Sequence, residues 1–313
     1  MHLETDHGIS TAEVSTEEAL STDWSEHRQS IDIIRVVEPA ADIELPLVEA
    51  GFIAKPDRLI WLAPAGSSEE EFLSRLSQNS RYLFRKSVRR TENDGVRITV
   101  QNPLTPETLD PFLDVYKSRV SEMRNGLMLA PLERDDFLAQ RGEYLTVNAL
   151  QDGVVVGGCI CHHSTTDSLL RLRYVAVAPE RHSDSLTRSI YAMVFRVARE
   201  LGCRNVSLGV DINLYGHIVR TGLFRFKAQL GFTPMPFQQF TAGAGRDVAE
   251  RVLRLENLSD PSFVLGYKPA QPGEALDRST LRGEVLASDE AVDLRPFGAG
   301  FLEDLRLTVI KPV

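Results

Sequence analysis

The order of elements between residues 145 and 240 constrains this chain more than any other feature. Residues 145–150 and 154–162 read as strands, and Gln151-Asp152-Gly153 between them is a hairpin signal. Residues 169–177 read as a third strand, stopped by Pro179. A long amphipathic helix follows over residues 186–201: Ile190, Met193, Val194, Val197 and Leu201 recur at helical spacing, and Gly202 caps its end. Residues 206–210 form a β-branched strand, residues 223–230 a short helix capped by Gly231, and residues 232–240 a further strand. Tight hairpins demand antiparallel pairing, whereas strand–long helix–strand demands a parallel crossover. The combination predicts an α+β fold with mixed, mostly antiparallel sheets flanked by helices, not a doubly wound parallel sheet.

Upstream, residues 31–37 and 58–63 read as strands. Ser67-Ser68-Glu69-Glu70-Glu71 opens a helix with a hydroxyl cap and acids on the first turn, and the pattern runs with a break to Asp94-Gly95. Residues 96–100 alternate as a strand. Thr105-Pro106-Glu107 opens another helix, with Phe112, Val115, Tyr116 and Val120 on one face and Gly126 at its end; residues 132–140 are helical again. The expected organisation is an acidic flexible tail over 1–30, an N-terminal domain over 31–145, a C-terminal domain over 146–268, and a linker over 269–284 leading to a last strand at 305–310.

A chain of 313 residues, 42% hydrophobic and 25% charged, holds enough apolar material for one large core or two smaller ones. No apolar run approaches the ~18 residues of a membrane span. The first residues are acidic and polar, so no signal peptide is expected. Three cysteines (159, 161, 203) make no disulfide framework, and a reducing cytoplasm is the expected location. The net charge of −9 speaks against nucleic acid at first sight. Residues 1–30, however, carry seven acids and one base, so the remainder is only −3 and leaves room for a basic patch. No GxGxxG, GxxxxGK[ST] or GxSxG occurs, which removes support for dinucleotide, P-loop and serine-hydrolase chemistry.

The basic patch is at hand. Arg75, Arg81, Arg85, Lys86, Arg89 and Arg90 follow one another with no acid between them, and 81, 85 and 89 share a helix face. Like charges at that spacing repel, so a phosphate-bearing ligand (nucleotide, CoA or tRNA backbone) would relieve them. Tyr82 and Phe84 lie among them; the plainer reading is a solvated face offset by Glu69–Glu71. Cys159, Cys161 and His163 share a strand face, but small thiols in a core strand explain them and no metal is expected. Arg171 and Arg173 make one face of their strand basic. Asp211, at a strand end with Ser207 and Gly209, is placed to orient an amine or act as a base, or simply to cap the next turn. In 221–232, Leu223, Phe226 and Leu230 fit one helix face, leaving Arg225 and Lys227 on others; such a cation suits a developing oxyanion or a phosphate.

Three stretches carry a resemblance to the Fem-like branch of the GNAT acyltransferase superfamily, which includes aminoacyl-tRNA-dependent peptidoglycan-bridge transferases and "cellulose biosynthesis acetyltransferase"-type proteins. They are Arg81-Tyr82-Leu83-Phe84-Arg85-Lys86 followed by Gly95-Val96, the helix over 112–126, and Gly222-Leu223-Phe224-Arg225-Phe226-Lys227 ending at Gly231-Phe232. The resemblance implies tandem GNAT-like domains and amide formation by attack of an amine on an activated ester or thioester. It implies Lys227 near the reacting acyl end with Phe226 packed beneath it. The turn that binds CoA pyrophosphate in acetyl-CoA-dependent members corresponds to residues 181–186, where Asp184 replaces a glycine and Leu186 a small residue. A carboxylate there repels a pyrophosphate.

The expectations are therefore an acyltransferase with no bound cofactor. Aminoacyl-tRNA is the first candidate donor, with a carrier-protein thioester or acyl-CoA as alternatives, and the acceptor is a small-molecule or peptide amine. Lys227, Asp211 and Tyr215 are the candidate catalytic residues; Arg81, Arg85, Lys86, Arg89, Arg181, His182 and Arg225 are the candidate donor-phosphate ligands. A non-catalytic GNAT-fold binding protein is the reading from another class. No membrane insertion is expected.

Overall fold

A computed structural model describes the chain except residues 43, 124–125, 182–183, 218, 269–275 and 312–313, together with the side chains of Arg181 and Asp184. The first elements are β1 (His2–Asp6), β2 (Ile9–Glu13), α1 (Thr16–Ser21), β3 (Ile33–Val37), α2 (Glu44–Glu49), β4 (Ile53–Pro56) and β5 (Arg58–Pro64). Next come α3 (Glu69–Ser74), α4 (Gln78–Asn93), β6 (Arg97–Gln101), α5 (Pro106–Ser121), α6 (Arg134–Ala139), β7 (Tyr144–Gln151), β8 (Val154–Ser164) and β9 (Leu169–Val177). The last are α7 (Asp184–Glu200), β10 (Asn205–Ile212), α8 (Thr221–Gln229), β11 (Thr233–Pro236), α9 (Phe237–Phe240), β12 (Asp247–Val252), β13 (Ser262–Lys268), β14 (Asp277–Ala287) and β15 (Leu305–Val309). The fold is α+β, with mixed, mostly antiparallel sheets flanked by helices.

Two compact units divide the chain. Unit 1 comprises residues 1–60, 210–228 and 233–313; unit 2 comprises 61–209 and 229–232. This corrects the expected boundaries: residue 145 falls inside β7 of unit 2, and unit 1 is assembled from three separated stretches. Sequence periodicity reports local elements and is blind to such non-local assembly.

In unit 2 the strands run in the order β5-β10-β9-β8-β7-β6. β6 to β9 form an antiparallel meander. The β7–β8 turn is the expected one, with Asp152 and Gly153 both left-handed (φ 52° and 81°), as a two-residue hairpin requires. α7 makes the expected crossover to β10, which lies parallel to β9 over Asn205–Ser207. Gly209 (φ 78°) breaks the extended backbone of β10 two residues later, and its N–H donates to Ser207 Oγ at 3.1 Å. Met193 on α7 and Leu201 just after it are only half-buried, while Tyr191 and Phe195 complete the helix's inner face. Phe195 stacks on Phe72 of α3 at 4.1 Å. Cys159 and Cys161 are fully buried in β8.

In unit 1 one sheet has the order β1-β2-β3-β12-β4 and a second the order β13-β14-β15. One face of the first sheet (Ala12, Ile34, Val36, Ala249) packs with Ala19, Trp24, Leu47 and Phe52. The other face contributes Ile9, Ile33, Ile53 and Val252 to a core with Val264 and Leu286 of the second sheet.

Residues 1–30 are thus not a flexible tail. β1 and β2 form a hairpin, β2 pairs parallel with β3, and Trp24 is buried with Nε1 donating to Ala19 O at 3.0 Å. The acids of this stretch lie mostly on β1 and the outer face of α1, and small residues (Thr11, Ala12) hide the alternation of β2. Ser15 and Glu18 make a reciprocal capping box at α1, a signal readable in the sequence. The expected linker is also corrected: 269–275 lies outside the described residues, and residues 277–284 are part of β14. Its charges misled because Arg282 and Glu284 are both buried and paired with each other at 2.6 Å.

Candidate functional site

Two clusters gather the candidate residues, one in each unit. In unit 1, β10 ends at Asp211-Ile212 and the chain turns at Asn213. The Asn213 side chain is fully buried and saturated: Nδ2 donates to Pro56 O and Leu265 O at 2.8 and 2.7 Å, and Oδ1 accepts from Leu265 N at 2.8 Å. Two residues on, Tyr215 exchanges both backbone hydrogen bonds with Phe263 of β13. The segment from Asp211 to Tyr215 is therefore pinned at two points.

α8 then returns past it. Phe224 and Lys227, one turn apart, form the buried face of this short helix. Phe224 packs against the rings of Tyr215, Phe263 and Phe301, with centroids 4.8–5.9 Å apart. Lys227 is carried to Asp211, with Nζ 2.7 Å from each carboxylate oxygen. Tyr215 donates its hydroxyl to Asp211 Oδ2 at 3.2 Å. The three predicted catalytic residues therefore form one cluster, and all are nine-tenths buried or more: Lys227 is 5% exposed, Asp211 9% and Tyr215 0%.

Burial pulls the Lys227 ammonium below the ordinary lysine range, and the Asp211 charge and hydrogen bonds offset only part of that, so the net shift is downward. A carboxylate already accepting from a cation and a phenol is a positioning group and counter-ion for Lys227 more than a base. Beneath the turn lies a second ionic group: Lys55 Nζ donates to Asn213 O at 3.0 Å and meets Glu250 at 2.9 Å, and Glu250 also holds Arg35 at 2.7 Å. Burial raises the Glu250 pKa, but the two cations outweigh it and the net shift is downward.

The phase of α8 differs from the sequence expectation. Leu223 is 41% exposed, Phe226 is half-buried and Arg225 is exposed; Phe224 takes the inner position. The aromatic residues that set this phase lie 39 to 77 positions downstream, outside any helical window. Asn213, Phe224 and Lys55 were missed by the sequence reading, and only a polar residue immediately after the strand (Asn213) gave a local signal.

In unit 2, α4 starts at Ser77, whose Oγ accepts from Ser80 N at 3.1 Å. Its buried stripe is Ser80, Phe84, Ser87 and Thr91. Three small hydroxyl residues let α7 come close, and Thr91 and Ser189 share a buried hydrogen bond of 2.8 Å. The opposite face carries Arg81, Tyr82, Arg85, Lys86, Arg89 and Arg90 around a shallow hollow of about 790 Å³. Tyr82 is 60% exposed, and Lys86 lies 5.7 Å from its ring centre. Arg90 meets Asp94 at 3.7 Å; Arg81, Arg85, Lys86 and Arg89 have no ion pair among the described residues. Arg75, by contrast, is tied to Glu71 and Pro64 O outside this face. The side chain of Arg181, and His182 as a whole, lie outside the described residues.

Elsewhere on unit 2, Arg173 is held by Glu133 at 2.8 Å, and Tyr174 donates to the same carboxylate at 2.8 Å. Burial first and that hydrogen bond second push the Tyr174 phenol up to about 12. Among the described residues no helix is long and apolar enough to cross a membrane.

Residues 112–217 match the model of the acetyltransferase (GNAT) family, a stretch that starts on α5 and ends just beyond Tyr215. No curated protein matches the chain. Among solved structures the chain is similar to FemX, at 13% identity over 78% of this chain and 81% of that one, with a TM-score of 0.45. It is similar to L-PGS from Bacillus licheniformis at 12% identity over 74% and 71% of the two chains, with a TM-score of 0.40. A tandem GNAT protein from the clavulanic acid biosynthesis pathway aligns at 13% identity over 73% and 68%, with a TM-score of 0.38.

Proposed function

We propose that this chain is an acyltransferase that forms an amide bond, moving an aminoacyl group from aminoacyl-tRNA to an acceptor amine. The family match over 112–217 supports acyl transfer. The donor assignment is carried by one observation, the α4 face: four cations without an ion pair among the described residues, ranged along one helix beside an exposed tyrosine. That array suits a phosphodiester backbone, which neutralises the cations, and a base that stacks on Tyr82.

The reaction needs little protein chemistry. The neutral amine attacks the ester carbonyl carbon, and the carbonyl electrons move to oxygen. Lys227 supplies positive charge for that oxyanion, worth on the order of 10²–10³ in rate for a well-placed donor. Asp211 favours the ammonium form of Lys227 and aims it, and Tyr215 orients Asp211. When the carbonyl re-forms, the ester C–O bond breaks, and the attacking amine's proton passes to the departing ribose oxygen. No strong protein base is required, which agrees with Asp211 being engaged by Lys227.

The second reading, transfer from acyl-CoA, is favoured by the family model itself, whose description is acetyltransferase. Equilibrium binding separates the two. Aminoacyl-tRNA is expected to bind with a steep salt dependence, log K falling with log salt at a slope of about −0.7 to −0.9 per phosphate contacted. CoA binding that is tight and that tRNA leaves unchanged would favour the second reading; a carrier-protein thioester would appear as binding to neither.

A further inference from the structure

Unit 1 holds a cavity whose lining does not include Asp211, Tyr215 or Lys227. In β10 and the turn after it, Asp211 is directed to Lys227, whereas Ile212 and Leu214 line this cavity. It encloses about 250 Å³, the share of about eight waters at roughly 30 Å³ each, which is room for one amino acid and not for a nucleotide.

The strand register builds its floor and one wall. Glu4 pairs across from Thr11, and Thr11 from Ile33, so these three stand in one row on the same sheet face. Asp6 and Ile9 form the next row. Ile9 and Ile33 are buried in the core between the two sheets and only close the base of the cavity, while Glu4 and Asp6 project from the exposed strand β1. Glu4 makes no ion pair within 4 Å among the described residues, although its charge acts on Arg35, and Asp6 meets His7 at 3.7 Å.

Cations stand at the other side. Arg58 and Arg246 both reach one carboxylate, Asp57, each at the limiting distance of 4.0 Å. Asp57 already accepts from the Arg246 backbone N–H at 2.9 Å. Two guanidinium groups thus share one loosely held counter-ion. Arg35 repeats the pattern, since it and Lys55 share Glu250. The cavity is therefore lined by charges of both signs: Glu4 and Asp6 on β1, Arg35 on β3, and Arg58 and Arg246 around Asp57.

We propose that this cavity binds a small zwitterion, an α-amino acid. Its ammonium meets Glu4 and Asp6, and its carboxylate meets Arg58 and Arg246. The inference is independent of the acyl-transfer reading, because it uses none of the same residues.

The test is calorimetric titration of the full chain with L-leucine, N-acetyl-leucine and leucinamide, each of the last two lacking one charge. Leucine should bind, and each analogue should bind about tenfold more weakly, the value of one charged hydrogen-bonding contact. Arg246→Ala and Glu4→Gln should weaken leucine by a similar factor. Both positions are surface-accessible, and unchanged melting curves would show that the variants fold. Absence of leucine binding at millimolar concentration, or equal binding of all three ligands, would overturn the proposal. So would unchanged leucine binding in both variants; a leucine-ended peptide binding where leucine does not would assign the cavity to a chain terminus instead.

Discussion

Lys227→Met is expected to lower the stability of the chain by about 3–5 kcal/mol, because it strands a buried carboxylate without its cation. Asp211→Asn should cost a similar amount by stranding the ammonium. The double variant Lys227→Met/Asp211→Asn removes both charges and keeps an oxygen for the Tyr215 hydroxyl. Its loss should fall short of the sum of the singles by about 2 kcal/mol or more. Urea unfolding of the four proteins measures this directly. Additive losses would mean that the 2.7 Å contacts between Lys227 and Asp211 contribute no coupling. The cycle also governs how activity is read: a rate lost in Lys227→Met is chemical only where the variant remains folded.

The α4 face makes a prediction of the opposite kind, a large effect on binding with none on folding. Arg85→Glu/Lys86→Glu should weaken aminoacyl-tRNA binding at least tenfold at low salt and flatten the salt slope by about two contacts' worth. Both side chains are exposed and neither has an ion pair among the described residues, so no buried partner is stranded. The carboxylate introduced at position 85 would stand one helical turn from Arg81 and from Arg89, and the one at position 86 one turn from Arg90. Such opposite-charge pairs add a few tenths of a kcal/mol each. The melting curve should therefore hold or rise while binding collapses. Affinity within twofold of the unaltered chain would remove α4 from the donor site.

The contrast between these two clusters shows what the sequence makes legible. The α4 face is written in one window: a helical spacing of cations and a serine cap, each decided by neighbours within about four residues. The β7–β8 hairpin is legible for the same reason, since Asp152-Gly153 sets its own turn. The Asp211–Lys227 pair spans 16 residues and depends on the phase of α8. That phase is fixed by Phe263 and Phe301, so a helical projection of residues 221–231 alone puts Leu223 inside and Phe224 outside, the reverse of what occurs. Residues 1–30 failed differently. Their charge suggested solvation, yet β1 places its acids outward while β2 pairs with β3, which needs only small residues at Thr11 and Ala12. The charges of β14 failed for a third reason: a buried ion pair such as Arg282–Glu284 looks polar in sequence and behaves as core in the fold.

Direct transfer of label tests the central claim most sharply. The chain would be incubated with aminoacyl-tRNAs labelled in the amino acid, and separately with labelled acetyl-CoA, each with a broad mixture of amines. Label should pass from one aminoacyl-tRNA into an acid-stable, alkali-resistant amide, and high salt should suppress the transfer. Transfer from acetyl-CoA with all tRNA-borne label retained would contradict the account of the donor, and no amide from either would contradict the account of the reaction.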